Sequence, residues 1–346
     1  MTRLRILLAP FALVYGVGVL VRNWLFDFGL LPTTRVDIPV VSVGNVSTGG
    51  TGKTPLVEFL ARDLRARGKK VAVISRGYQR STSGYVVVSN GVQRCAEASA
   101  SGDEPSQMAE KLDGVVVVVD EQRVRAARRV IKEFKPNIIL LDDGFQHRYL
   151  HRDLNIAVVS SDEMLSPSWL LPAGNKREPV SSLRRADVVV VSRCADLEMF
   201  SAISNRLAGR TSAPIVGMNI RPVSLKHAAT SAVTDLQSIS GKRVVAFSGI
   251  GNPGQFEQTV ESLSAVLVKH HRFPDHHQYS ASELETIQQT FSTQKADFIL
   301  TTEKDVARLR GNSDFFLKQK PLYYIDVRAE MLWGMEAFNV VFNKLG

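Results

Sequence analysis

Gly44-Asn45-Val46-Ser47-Thr48-Gly49-Gly50-Thr51-Gly52-Lys53-Thr54 is the stretch that decides the fold. An apolar run, Ile38 to Val43, precedes it. Leu56, Phe59, Leu60 and Leu64 follow at helical spacing, with charges on the opposite face. A glycine-rich turn between a strand and a helix directs successive backbone N–H groups inward and forms an anion nest. The following helix adds its positive N-terminal end. The strict G-x-x-x-x-G-K-[ST] pattern would need glycine where Ser47 stands, so the match is to the variant GGxGK[ST] form. Gly49, Gly50, Thr51, Gly52, Lys53 and Thr54 are therefore the expected nucleotide-binding residues. Lys53 is expected on the β and γ phosphates, and Thr54 on Mg²⁺.

Outward from this loop the pattern alternates between strand and helix. Val71–Ile74, Tyr85–Val88, Val115–Val119, Ile138–Leu141, Ile156–Val159 and Val188–Val191 are short aliphatic runs. Such runs suit strands buried on both faces of a parallel sheet. The rhythm loosens after about Arg210, where Ile215–Ile220 reads as an isolated strand near a linker. It resumes with Val244–Phe247, the Gly-rich Ser248–Gly254, a helical Ala281–Phe291, and strands at Phe298–Leu300 and Leu322–Ile325. The expected class is α/β: a doubly wound P-loop domain over 32–212, a linker over 213–236 and a smaller α/β domain over 237–346.

Residues 1–31 differ in character. No charge occurs from Ile6 to Val21, and Trp24, Leu25, Phe26, Phe28, Leu30 and Leu31 extend the apolar run. Arg3 and Arg5 precede it and Arg22 follows. There is no small-residue cleavage site of the signal-peptide kind. The uncharged run is shorter than the ~20 residues of a spanning helix, and Pro10, Gly16 and Gly18 weaken it further. The reading is a membrane-associated helix lying in the interface, with arginines toward anionic lipid. A buried core helix or a transmembrane anchor are the alternatives.

The composition is 44% hydrophobic and 22% charged, ordinary for a chain of 346 residues that builds sizeable cores. The net charge of +9 is dispersed, with no Lys/Arg block interleaved by aromatics. Lipid or phosphate is favoured over nucleic acid as partner. Two cysteines, Cys95 and Cys194, have no CxxC spacing and read as a reducing context without disulfides.

Four further motifs carry chemistry. Asp142-Asp143 ends the Ile138–Leu141 run, where a carboxylate holds Mg²⁺ or a solvated turn precedes Gly144. Asp103, in Gly102-Asp103-Glu104-Pro105, is either a general base or a helix cap. His270-His271-Arg272-Phe273-Pro274-Asp275-His276-His277 reads as a surface loop, an acid/base or phosphate contact, or less readily a metal site. Thr302-Glu303-Lys304-Asp305 follows a strand and has the spacing of a helix cap, at a strand end where open α/β sheets bind ligands.

Together these residues resemble the tetraacyldisaccharide 4′-kinase family of lipid A biosynthesis. The resemblance runs over nearly the whole chain: Val43–Pro55, Ser75–Tyr78 as SRGY, Gly102–Pro105 as GDEP, Leu141–His147 as LDDGFQH, Leu171–Pro179 as LPAGNKREP, Phe273–His276 as FPDH and Thr302–Asp305 as TEKD. It implies an ATP- and Mg²⁺-dependent kinase, peripheral or monotopic on the cytoplasmic face of the inner membrane. The γ-phosphate would pass to the 4′-hydroxyl of an acylated disaccharide 1-phosphate, giving lipid IVA. It places the catalytic aspartate on Asp103 and its partner on His276. It places nucleotide and metal residues on Lys53, Thr54, Asp142 and Asp143, and substrate contacts on Arg123, His147, Arg177 and Glu178. Gln79 departs from the glycine common after Arg-Gly-Tyr. The chain is taken as a monomer. The rival readings are a membrane-associated P-loop GTPase or ATPase, and a nucleotide-regulated binding module. The first lacks a guanine-reading [NT]KxD spacing in Asn175–Glu178 and Thr302–Asp305.

Overall fold

The computed structural model describes residues 2–165, 169–309 and 321–345. The strands are β1 Val40–Asn45, β2 Val71–Ser75, β3 Val86–Asn90, β4 Val116–Val119, β5 Ile138–Asp142, β6 Leu154–Ser160, β7 Val188–Ser192, β8 Ile215–His227, β9 Val233–Thr234, β10 Arg243–Ser248, β11 Val266–Arg272, β12 Phe298–Thr301 and β13 Leu322–Trp333. The helices are α1 Thr2–Asp27, α2 Lys53–Ala66, α3 Ala98–Ser101, α4 Asp103–Lys111, α5 Arg123–Phe134, α6 Ser161–Leu165, α7 Leu197–Leu207, α8 Pro253–Ser262, α9 Ala281–Thr293, α10 Glu303–Leu309 and α11 Met335–Phe342.

All the strands join one mixed sheet in the order β11-β10-β12-β13-β8-β7-β6-β1-β5-β2-β4-β3, with β9 on β8. From β8 to β4 the neighbours are parallel, and so are those from β11 to β13. The two parallel halves meet at the antiparallel pair β8–β13, while β3 closes one edge antiparallel to β4. The α/β class expected from the sequence is what forms, and the apolar N-terminal helix is present.

Alternation within the strands explains how helices cover both faces. Val71 and Val73 of β2 point into a cluster with Leu56, Leu60 and Leu64 of α2. Ala72 and Ile74 point the other way, onto Ala126, Ala127 and Val130 of α5. No residue of β2 reaches solvent, hence the unbroken aliphatic run. The second half repeats this with clusters around Phe247 and Ile287 on one face and Ile239 and Phe256 on the other.

Two elements differ from the sequence reading. The segment read as a linker over 213–236 is mostly β8, a 13-residue strand at the join of the halves. It carries Pro222, which pairs with Val327 at a register shift, where a missing N–H is tolerated. His270, His271 and Arg272, read as part of a loop, lie in β11 at the sheet edge.

Helix α1 docks along one side. Asn23 Nδ2 donates to Glu178 at 2.9 Å, Tyr15 Oη to the Arg177 carbonyl at 3.0 Å, and Arg148 Nη2 to Asp27 at 2.7 Å. Phe26 is buried against Tyr149. Phe11, Val14, Val17, Val21, Trp24 and Phe28 recur every three or four residues on the outer face, all more than half exposed. The 21 residues Leu7–Asp27 are long and apolar enough to cross a membrane by length and composition. The side chains of Arg3 and Arg5 lie outside those described.

Candidate active site

The phosphate loop leaves β1 at the point where β5 and β6 flank it on opposite sides, the switch point at which open α/β sheets bind ligands. Gly44 is dictated by packing: a Cβ there would lie 2.4 Å from the backbone nitrogen of Phe145. Gly52 caps α2 with φ 88° and no side-chain cap, so the first N–H groups of α2 remain free for an anion. The loop is braced from three sides. Asn45 Nδ2 donates to Thr51 Oγ1 at 3.0 Å, Ser192 Oγ to the Thr51 carbonyl at 2.6 Å, and Arg193 Nη2 to the Gly50 carbonyl.

The end of β5 faces this loop. Asp142 is 1% exposed; its Oδ2 accepts from Ser75 Oγ at 2.8 Å, and its Oδ1 is buried without a hydrogen-bond partner. Burial, with Glu104 and Asp143 nearby, pushes its carboxyl up to about 7. Asp143 behaves in the opposite way. Burial would raise it, but Lys53 at 3.5 Å and Arg177, reaching both oxygens at 2.9 and 2.8 Å, bring it down to about 2. An orphaned buried carboxylate oxygen beside a phosphate loop fits a divalent cation. Among the described residues no three His, Cys, Asp or Glu side chains gather as a metal cage. Mg²⁺ needs none, since one or two carboxylates suffice when phosphates and waters complete its shell.

Asp103 and His276, 173 residues apart, meet. His276 Nδ1 lies 3.1 Å from Asp103 Oδ2. Asp103 is the first residue of α4; the cap position belongs to Gly102, and the Asp103 side chain caps nothing. Burial opposes its ionisation, but the bonds from His276 and Arg308 outweigh it and keep the carboxyl below its ordinary value. His276 has φ 60°, in the left-handed region, which turns the chain after β11 so that the ring faces α4.

Around these groups lies a cationic wall. Arg123, at the start of α5, is buried and donates to the carbonyls of Asp120 and Glu121 at 3.2 and 3.4 Å; its Nε has no partner. Burial lowers its pKa against the pull of Asp143 and Asp142. His147 is pushed down to about 4, by burial first and then by Arg123, Arg152, Arg22 and Arg76, so it is neutral. Its Nε2 is buried without a partner.

The family model described as Tetraacyldisaccharide-1-P 4′-kinase matches residues 4–345. The chain belongs to this family. The tetraacyldisaccharide 4′-kinase of Pelodictyon phaeoclathratiforme is 35% identical over 351 residues, covering 99% of this chain and 98% of that one. That of Syntrophus aciditrophicus is 39% identical over 315 residues, covering 88% and 84%. A crystal structure of LpxK from Aquifex aeolicus in complex with ATP is 33% identical, covers 99% of each chain and superposes with a TM-score of 0.81.

Within this family member, the sequence-predicted site residues fall into three places. Lys53, Asp143 and Arg177 are linked directly at the phosphate loop, with Thr54 next to Lys53 and Asp142 next to Asp143. Asp103 and His276 pair beside them. Arg123 and His147 belong to the cationic wall. Glu178 sits apart: it is buried between Asn23 of α1 and Arg185, both at 2.9 Å, and ties the N-terminal helix to the body. Gln79 occupies a left-handed backbone position with φ 57°, which is where glycine costs least.

Sequence reasoning did not single out Ser192, Arg193 or Arg308, and it named Lys304 only within the Thr302–Asp305 motif, without a role of its own. The first two end β7, and their signal was that position, since strand C-termini line the site. Lys304 donates to Glu104 at 2.6 Å and is the main cause of that carboxyl's lowered pKa, with Lys53 contributing too.

Proposed function

We infer that this chain is a tetraacyldisaccharide 4′-kinase, transferring the γ-phosphate of ATP to the 4′-hydroxyl of a tetraacylated disaccharide 1-phosphate in lipid A biosynthesis. The observation that carries this reading is the Asp103–His276 pair beside the phosphate loop of a chain matched to the family from residue 4 to 345. Phosphoryl transfer demands positioning and charge neutralisation more than covalent catalysis. The loop N–H groups and Lys53 bind the phosphates. Asp103 accepts the proton of the acceptor hydroxyl, and His276 orients its carboxylate. Thr54, Asp142 and Asp143 would hold Mg²⁺, which neutralises charge on the phosphate oxygens. Arg123 and neutral His147 offer the substrate a cation and a ring nitrogen.

The test supplies purified protein with labelled ATP, Mg²⁺ and the tetraacyldisaccharide 1-phosphate in detergent. A bis-phosphorylated lipid is the expected product. ATP hydrolysis without lipid phosphorylation would overturn the kinase reading in favour of a membrane-associated NTPase.

The substrate's acyl chains sit in a bilayer, so the enzyme must come to them. We place it on the cytoplasmic face of the inner membrane, with the outer face of α1 in the lipid. Val14 and Val17 are 72% and 54% exposed, so charges there cost the fold little. Val14→Asp with Val17→Asp is expected to weaken vesicle cosedimentation by about tenfold or more, since each buried valine contributes about 1.5–3 kcal/mol. Unchanged cosedimentation would show that this face is not the membrane contact.

A further inference from the structure

Helix α10 cross-links to α4 along its length. Glu303 accepts from Gln107 at 2.9 Å and from Lys111 at 3.1 Å, Lys304 donates to Glu104 at 2.6 Å, and Arg308 Nε donates to Asp103 Oδ2 at 2.6 Å. Asp103, Glu104, Gln107 and Lys111 share one face of α4, at i, i+1, i+4 and i+8. The second half of the molecule therefore grips the helix that carries the proposed base.

Arg308 is the innermost of these grips, with a side chain 1% exposed. Besides Asp103, its Nη1 donates to the Gly249 carbonyl at 2.6 Å and to Asp305 Oδ1 at 2.9 Å. Asp305 is itself immobilised: the Gly249 N–H, Tyr279 Oη and Thr302 Oγ1 all donate to it, at 3.1, 2.8 and 2.6 Å. The guanidinium thus has a fixed seat built from the C-terminal ends of β10 and β12. Among the described residues, both hydrogen bonds to the Asp103 carboxylate, from His276 and from Arg308, go to Oδ2. Oδ1 is left for the acceptor hydroxyl.

We propose that Arg308 is a positioning residue for phosphoryl transfer, which commits one oxygen of Asp103 and aims the other at the acceptor. This rests on Asp103 acting as the base. A planar fork can meet Asp103, Gly249 and Asp305 at once, whereas a lysine ammonium at the end of a flexible stem matches this geometry poorly.

The experiment uses the full-length enzyme with Mg-ATP and lipid substrate, comparing Arg308→Ala and Arg308→Lys in the native and Asp103→Asn backgrounds. In the native background Arg308→Ala is expected to lower kcat by about 10- to 100-fold, the size of effect that misplacing a reacting group produces. ATP affinity by calorimetry should stay near the native value. Arg308→Lys should fall between, and added ethylguanidinium should restore part of the Arg308→Ala loss. In the Asp103→Asn background the further loss should be under about threefold, because residues acting as one unit are not additive. An equal loss in both backgrounds would overturn the proposal. So would an unimpaired Arg308→Lys, a readout that stands even where Arg308→Ala fails to fold. If Asp103→Asn itself keeps native turnover, the base reading has failed instead, and the two failures are told apart.

Discussion

Asp103→Asn is expected to lower kcat by about 10²- to 10⁴-fold, the range for losing a positioned general base, with ATP affinity near the native value. Asparagine keeps the size of the side chain and an acceptor oxygen for Arg308, but it cannot take the hydroxyl proton. The Asp103 side chain is bonded to His276 and Arg308 rather than to the phosphate loop, which makes the split between kcat and binding diagnostic. The proposed nucleotide and metal residues belong to the loop after β1 and to the end of β5, whereas Asp103 is held by His276 and Arg308 from the other half. A change that removes only an interaction made during transfer lowers kcat and kcat/KM together and spares nucleotide binding. Equal losses of turnover and ATP affinity would assign Asp103 a structural role and leave the proton without an acceptor. The charge state supports the assignment, since burial favours the acid form but the bonds from His276 and Arg308 outweigh it and hold the carboxyl below its ordinary value. Replacing His276 with alanine should cost less, because Arg308 remains on the same oxygen.

What the sequence discloses about this molecule follows the range of each force. Buried parallel strands advertise themselves locally: Val71–Ile74 and Ile138–Leu141 are apolar on both faces because helices cover both. The phosphate loop is legible for the same reason, since an anion nest is made by one short stretch of backbone. The continuation of β8 beyond Ile220 was obscured by its own Pro222, tolerated because a register shift occurs there. Strand β11 was hidden because it lies at the sheet edge, where polar residues such as His270 and Arg272 are compatible with pairing. Contacts between the halves have no local signature at all. By spacing alone Asp103 reads equally as a base or a cap; only the family resemblance pairs it with His276, and the fold brings the two together. Arg308 looked like any arginine in a short helix. Glu178 was expected at the substrate, and nothing in its neighbourhood in the sequence announced Asn23 as its partner.

Lys111 shows most sharply how such long-range matches stabilise the molecule, and Lys111→Met is expected to destabilise it by about 3–5 kcal/mol, the cost of stranding buried charge. Its ammonium, 5% exposed, lies 2.9 Å from Glu58, 3.1 Å from Glu303 and 3.1 Å from Asp326. These come from α2, α10 and β13, so one cation reconciles three carboxylates drawn from both halves. Arg62 and Lys226 reach only the outer members, Glu58 and Asp326. Among the described residues Glu303 has no second cation; burial raises its carboxyl well above the ordinary range, with Glu58 and Asp326 adding to it and Lys111 opposing. Methionine matches the lysine stem in length, so the loss measured is that of the charge rather than a cavity. The sign of the pH dependence then separates this account from a packing defect. With Lys111 gone, Glu303, whose carboxyl burial already raises, takes up its proton more readily in the folded state than in the unfolded one. The folded state binds the extra protons, so the stability deficit shrinks as pH falls from neutral toward 5. Urea unfolding at the two pH values, with an unchanged m value, is the measurement. A deficit that does not vary with pH would mean that Lys111 contributes by packing alone. Adding Glu303→Gln to Lys111→Met should recover part of the loss at neutral pH, because it removes the carboxylate that has no other cation.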